Sequence, residues 1–334
     1  MSILETNRYI RQTCLAEVGE SGQKVIANAH ILVVGAGGLG CAVLPYLATA
    51  GVGNISIVDG DRVSLSNLHR QVLYREADVN QPKVLCAKNH LHALNKDCNI
   101  THHFMSLTPS NVAKLCDGVD IVLDCADNFA VSYMLSDYCH EASIKLVSAS
   151  ALGFTGYVGG FCGKAPSLRA VFPELPQRAQ NCSSAGVMGP VVGAVGCIQS
   201  QYALNILLDI SPSPLGQLLS IDLQNLRQSA FRFDDAPEPP AAQQLSFIDA
   251  ANINPQDWVV DLRGLEAQSA PSTQITEVLH HTIEDFQSEG PKPGPQQRAV
   301  MVCRTGLTAW RAARLLQDYW QGNICLIAMH ENPL

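Results

Sequence analysis

His30-Ile31-Leu32-Val33-Val34-Gly35-Ala36-Gly37-Gly38-Leu39-Gly40 decides the fold of this 334-residue chain. An apolar run enters three glycines spaced Gly35-x-Gly37-x-x-Gly40, and an apolar, helix-patterned segment continues to Ala50. The order is strand, tight turn, helix, with glycine wherever a nucleotide phosphate must approach the backbone. A second strand, Ile55 to Val58, ends in Asp59, nineteen residues after Gly40. A carboxylate at that place is expected to accept a hydrogen bond from a ribose hydroxyl.

The next segment separates a triphosphate from a dinucleotide. Asp61, Asn67, Arg70, Gln71 and Lys83 follow within twenty-five residues of Asp59. Two cations and a carboxylate beside a nucleotide suit a triphosphate with its metal, because a pyrophosphate leaving group needs positive charge aimed at it. Taken singly, each is also explained as an ordinary charge on a solvated loop.

Strand and helix patterns alternate after the first turn: 30–34, 41–50, 55–58, 82–94, 100–104, 110–116, 120–124, 129–142 and 144–149. This predicts an α/β fold, a doubly wound parallel sheet, preceded by a helical arm over residues 1–27. Gly-rich strands, a helix over 187–208 and strand-like stretches over 217–233 complete a first domain, residues 1–233. Residues 234–246, with three prolines and three acids at their start, read as a linker. The pattern restarts in 247–334, with a strand ending Asp261-Leu262-Arg263 and a second strand ending at Cys303, followed by a loop and a helix from Trp310.

Composition narrows the class. The chain is 47% hydrophobic and 16% charged, enough for a buried core and too apolar for general disorder. A net charge of -8 gives no reason to expect nucleic acid. No basic leader and no uninterrupted apolar stretch of membrane-spanning length is visible, so a soluble, cytoplasmic protein without membrane association is expected. The 12 cysteines are scattered and are expected to be reduced and mostly buried. No Cys-x-x-Cys pair occurs.

The ordered set Arg8-Tyr9-Ile10-Arg11-Gln12, Gly-x-Gly-Gly-x-Gly, Asp59-x-Asp61, Ser66-Asn67-Leu68-x-Arg70-Gln71, Pro82-Lys83 and Asp124-Cys125-Ala126-Asp127-Asn128 resembles the ubiquitin-activating superfamily, specifically its ThiF/MoeB branch. The resemblance runs to about Phe233. It implies ATP-dependent adenylylation of the C-terminal Gly-Gly carboxylate of a ubiquitin-like sulfur carrier. Carried over by motif, Gly35, Gly37, Gly38 and Gly40 cradle the nucleotide and Asp59 takes the ribose. Asp61 and Gln71 join the site, Asn67, Arg70 and Lys83 address the phosphates, and Asp127, followed by Asn128, holds Mg2+. A plain turn and helix cap is the other explanation of Asp127-Asn128. Arg11 matches an arginine that reaches the partner's phosphates, implying a homodimer. Cys182 stands where the ThiF cysteine takes the acyl group, with a buried bystander as its alternative.

Residues 247–334 are similar to a rhodanese-like domain, truncated or degenerate, in which Cys303 carries a persulfide received from a donor such as a cysteine desulfurase. A docking appendage is the alternative. Family members usually hold a structural zinc with two Cys-x-x-Cys pairs. Their absence predicts no zinc, with the region after Cys162 held by apolar contacts or left mobile. Ser148 to Phe154 and Asn181 to Gly193 look more like ThiF than MoeB, which favours the thiazole carrier ThiS, with the molybdopterin carrier MoaD second. An NAD-dependent oxidoreductase is a remote alternative, and no acid-base residue for it stands out. A fold-only scaffold is disfavoured by the intact set Arg11, Asp61, Arg70, Lys83 and Asp127.

Overall fold

In the computed structural model, residues 8–175, 186–240, 243–264, 278–287 and 290–329 are described. The β-branched runs of the first half become strands β1 (His30–Val34), β2 (Asn54–Val58), β3 (Asn99–His103), β4 (Ile121–Asp124) and β5 (Lys145–Leu152). Three more, β6 (Thr155–Cys162), β7 (Gln217–Asp222) and β8 (Arg227–Arg232), finish one sheet. Its order is β3-β2-β1-β4-β5-β6-β7-β8. The first five strands are parallel and the last three antiparallel. The order turns back between β1 and β4, and the space beyond the carboxyl ends of the strands at such a switch point is the usual ligand place in these sheets.

Helices α1 (Ile10–Thr13) and α2 (Gly19–Asn28) form the N-terminal arm. They are followed by α3 (Gly38–Ala50), α4 (Lys83–Leu94), α5 (Val112–Leu115), α6 (Phe129–Glu141), α7 (Leu168–Val171) and α8 (Gly189–Leu207). Alternate residues of each central strand face opposite sides, so both sides must be covered. Ile31, Val33, Ile55 and Ile57 pack with residues of α3, α4 and α8. Leu32, Val34 and Val122 pack with residues of α5 and α6 on the other side. This is the doubly wound arrangement expected from the alternating pattern.

A second sheet is built from β9 (Ser246–Phe247), β10 (Trp258–Asp261), β11 (Leu279–His280), β12 (Ala299–Cys303) and β13 (Ile324–Ala328). Its order is β11-β10-β12-β13-β9, all parallel. Helix α9 (Leu307–Gln317) follows β12. This second unit shares a core with the first. Trp310, Leu316 and Phe247 are buried in one cluster with Tyr133, Met134 and Leu168. The Arg169 guanidinium lies 4.8 Å from the Tyr133 ring centre and 5.1 Å from that of Trp310, and Arg314 lies 5.3 Å from Trp310.

The described part of residues 234–246, read as a linker, makes specific contacts with the first unit. Glu238 accepts 2.6 Å hydrogen bonds from the Ser167 amide and hydroxyl, Leu245 is fully buried, and Ser246 already belongs to β9. The prolines preclude regular structure but do not keep the segment off the surface of the first unit. Over its described part the stretch after Cys162 is held by apolar contacts, with Leu168 buried and Val171, Phe172 and Leu175 packed against the same core, and by polar contacts in addition. Arg169, nearly fully buried, forms a two-pronged pair with Asp137 at 2.5 and 2.7 Å and donates to the Leu245 carbonyl. Ser167 caps α7. The Cys162 thiol donates to the Ser136 carbonyl, and burial pushes it up to about 12.

Candidate nucleotide site

The glycine turn is shaped by close backbone approach. Gly35 has φ +100°, and a Cβ there would stand 2.6 Å from the Cys125 carbonyl oxygen. A Cβ on Gly40 would collide with the Gly35 carbonyl. Neither position tolerates a side chain, so the turn is compact and the N-terminus of the 13-residue α3 is presented to that space. Space above Gly37 is open, since a Cβ there would meet only the Gln71 amide nitrogen at 3.6 Å.

The buried Tyr74 and the half-buried Asp59 brace this turn. The Tyr74 hydroxyl donates to the Ala36 carbonyl at 2.7 Å, and the Asp59 carboxylate accepts from the Ala36 amide at 2.7 Å. Asp59 also accepts from the Asp61 amide at 2.7 Å. It thus fixes the loop as well as lying where a ribose acceptor is expected, a task its spacing alone did not indicate. Desolvation pushes the Asp59 carboxyl above the usual range, with Lys83 acting in the opposite direction.

Lys83, the first residue of α4, is nearly buried, and its ammonium donates to Asp61 at 2.8 Å. Burial alone would lower its basicity. The carboxylates of Asp59, Asp61 and Asp127 outweigh that and hold the ammonium above its usual value. A cation kept charged in a desolvated site is strongly coupled to any phosphate that enters. Asn67 accepts from the Arg70 guanidinium at 2.9 Å, so these two residues meet each other on the loop above the turn. Gln71 is buried, and among the described residues its Oε1 has no hydrogen-bond partner. A buried amide oxygen without a donor is costly unless a ligand or water supplies one.

Asp127 is exposed just beyond the carboxyl end of β4. Asn128 is the N-cap of α6, its Oδ1 accepting from the Ala130 amide at 2.8 Å. The capping explanation therefore holds for Asn128, whose side-chain oxygen serves the helix. Arg11 is exposed on α1. Cys182 lies outside the described residues.

Cys303 is buried at the end of β12. Its sulfur accepts from the amides of Gly306 at 3.1 Å and Ala309 at 3.3 Å, the ring of N–H groups that the loop-and-helix pattern implies. The thiol is nevertheless raised, because desolvation outweighs those N–H groups. A Cβ on Gly306 would stand 3.1 Å from the Ala130 Cβ, so the cysteine loop abuts the first turn of α6, three residues from Asp127.

Asp124 was not singled out in the sequence, although an acid closing an apolar strand is itself a signal. It is fully buried and accepts from the Ser148 hydroxyl at 2.7 Å and the Ala126 amide at 3.2 Å. Desolvation pushes its carboxyl up to about 6. A folded-state value above the unfolded one means that the native state binds the proton more tightly. Stability is then highest below about pH 4 for this group and is lost as pH rises toward 6. The loss is about 2–3 kcal/mol. Asp124→Asn is expected to remove this component, so its stability relative to the unaltered chain rises by that amount between pH 4 and 6. Parallel denaturation curves of the two proteins across that range would contradict it.

A glycine turn at the sheet's switch point, a buried lysine held charged by acids, and an unpartnered amide at the turn together define a nucleotide-binding α/β protein built around phosphate chemistry. The chain belongs to the ThiF family, which matches residues 9–243. It is 40% identical over 303 residues to the adenylyltransferase and sulfurtransferase MOCS3 of Caenorhabditis briggsae, covering 86% of this chain and 73% of that protein. It is 41% identical over 220 residues to the molybdopterin-synthase adenylyltransferase of Haemophilus influenzae, covering 65% of this chain and 90% of that protein. Against MOCS3 of Sus scrofa, the chain is 43% identical over 221 residues but spans only 49% of that protein. The fold is similar to E. coli MccB crystallised with ATP, with a TM-score of 0.61 and 22% identity over 71% of this chain and 74% of that one.

Proposed function

We propose that this chain is an ATP-dependent adenylyltransferase that activates the C-terminal carboxylate of a ubiquitin-like sulfur carrier. The observation that carries this is Lys83, buried and kept protonated by Asp59, Asp61 and Asp127 at the mouth of the glycine turn. In the reaction a carrier carboxylate oxygen attacks the α-phosphorus of ATP, the bond to the bridging oxygen breaks, and pyrophosphate leaves. A carboxylate is a poor acyl donor, and the mixed anhydride with AMP is a far better one. The turn amides and α3 N-terminus bind phosphate oxygens, Lys83 and Arg70 offset charge on the departing pyrophosphate, and the Gln71 oxygen takes a donor from the nucleotide or its water shell.

The residues suit Mg2+ as well. A single exposed carboxylate, Asp127, together with substrate phosphates is the donor set this hard cation favours. It would shield charge that develops between the phosphates. Among the described residues no cluster of three or more His, Cys, Asp or Glu side chains could hold a metal, and metal analysis is expected to find no bound zinc.

A cavity of about 920 Å³ is lined by Ser150, Leu152 and Tyr157 of the inner strands and by Arg227 and Phe231 of β8. We assign the carrier tail to this cavity on its size and mixed polar and apolar lining. The motif stretches favoured the thiazole carrier. The relatives, MOCS3 and the molybdopterin-synthase adenylyltransferase, favour the molybdopterin type instead, and we adopt that choice. Cys303 then takes sulfur from a persulfide donor and Cys182 the acyl group. Arg11 completes the site of a second copy in a homodimer. If so, mixing Arg11→Ala with Asp127→Ala subunits restores part of the activity, and exchanged subunits that stay inactive exclude the shared site.

Pyrophosphate–ATP exchange, with purified carriers of the molybdopterin and thiazole types supplied separately, tests the proposal. Exchange dependent on the molybdopterin-type carrier is expected. Exchange only with the thiazole type would reverse the carrier choice. No exchange with either, despite ATP binding, would sink the adenylyltransferase assignment.

No helix among the described residues is long and apolar enough to cross a membrane.

A further inference from the structure

One buried polar side chain has more hydrogen bonds than packing requires. Gln199 lies in α8, whose other buried residues include Val191, Val192, Val195 and Ala203, and is completely inaccessible. Its amide nitrogen donates to the carbonyl of Asp124, the last residue of β4, at 2.7 Å and to that of Val147, inside the neighbouring β5, at 3.0 Å. Its amide oxygen accepts from the Cys125 thiol at 3.3 Å. A single side chain thus ties two strands to α8 at the point where the loop to Asp127 leaves the sheet. The same short segment meets the glycine turn, because Gly35 packs directly on the Cys125 carbonyl.

We propose that Gln199 is a positioning residue for the nucleotide and its magnesium, acting through the Asp124–Cys125 backbone on both Asp127 and the glycine turn. This rests on the proposed nucleotide and magnesium roles of the glycine turn and Asp127, and on the proposed reaction only for its catalytic readout. An amide suits the task because it offers two donors and an acceptor in one plane, whereas an apolar residue of the same length fills the space without fixing the strands. Displacement of a ligating group by about 1 Å is enough to cost on the order of a hundredfold in rate. A residue that only filled the core would not change the magnesium requirement.

The test is Gln199→Met, which keeps length and volume, with Cys125→Ala as a milder second variant that removes the donor to the Gln199 oxygen. ATP binding is measured by calorimetry across a magnesium titration in the full chain, alongside pyrophosphate exchange, with circular dichroism and melting as the check on folding. For Gln199→Met the magnesium concentration for half-maximal ATP binding is expected to rise several-fold, and exchange to fall tenfold or more. Cys125→Ala is expected to move both in the same direction by less. A folded Gln199→Met with its magnesium midpoint within twofold of the unaltered chain overturns the inference, as does a uniform loss with no midpoint shift. If Gln199→Met fails to fold, Cys125→Ala decides: a shifted midpoint supports the inference and an unchanged one overturns it. Magnesium-dependent ATP binding without exchange in the unaltered chain would count against the proposed reaction alone, since the binding midpoint still reads the role of Gln199.

Discussion

Replacing Asp127 with alanine is expected to lower pyrophosphate exchange about a hundredfold or more while leaving the fold intact. Both halves follow from its surroundings. Asp127 is exposed beyond β4 and belongs to no hydrophobic cluster, so little packing is lost. Its carboxylate nevertheless acts on the buried Lys83, which places its charge in the same site. Removing one group that stabilises developing charge in a preorganised site usually costs two or more powers of ten. The control is thermal melting, which should stay close to that of the unaltered chain. Near-normal exchange in a folded Asp127→Ala protein would remove Asp127 from the metal site.

Trp310→Ala is expected to have the largest effect on stability. The indole is 1% exposed, its ring centre lies 5.1 Å from that of Tyr133, and it lies within cation–π range of both Arg169 and Arg314. Truncation opens a cavity where the two units meet and removes both cation–π contacts, for about 3–5 kcal/mol. The indole N–H has no partner among the described residues, so Trp310→Phe keeps most of the ring contact and forfeits no hydrogen bond seen there. Its loss should be below about 1.5 kcal/mol, near that of a shape-conserving swap. Chemical denaturation distinguishes the two. Equal losses for Ala and Phe, or an Ala loss under about 1 kcal/mol, would show that the stack does not hold the units together. Faster alkylation of Cys303 in Trp310→Ala would accompany loosening, because the thiol is covered in the intact core.

Much of this was legible before the structure. The glycine turn, the order of strands and helices, the loop carrying Asn67 and Arg70 and the helix start at Lys83 are local patterns legible in the sequence. What escaped depends on contacts distant in sequence. Nothing near Pro237 shows that Glu238 will bond Ser167, or that Arg169 will bury its guanidinium between Tyr133 and Trp310. Gln199 gave only a faint signal, as the first polar side chain after the apolar start of the helix at Gly189. Its partners on β4 and β5 are set by how α8 packs on the sheet. Asp124 is similar: strand patterning explains its burial, and only the fold reveals Ser148 opposite it. The raised Cys303 thiol shows two effects of known sign whose balance depends on depth, which sequence does not give. Asn128, carried over by motif, also caps α6, a contact that its place before a helical pattern allowed.

The central claim is that this site makes an acyl-adenylate, and intact-mass spectrometry of the carrier tests it most directly. A molybdopterin-type carrier incubated with the chain, ATP and Mg2+ should gain the mass of AMP less water at its C-terminus. The gain should disappear when ATP is omitted and when Asp127→Ala replaces the unaltered chain. A carrier of either type that stays at its original mass, with ATP demonstrably bound to the folded chain, would contradict the account.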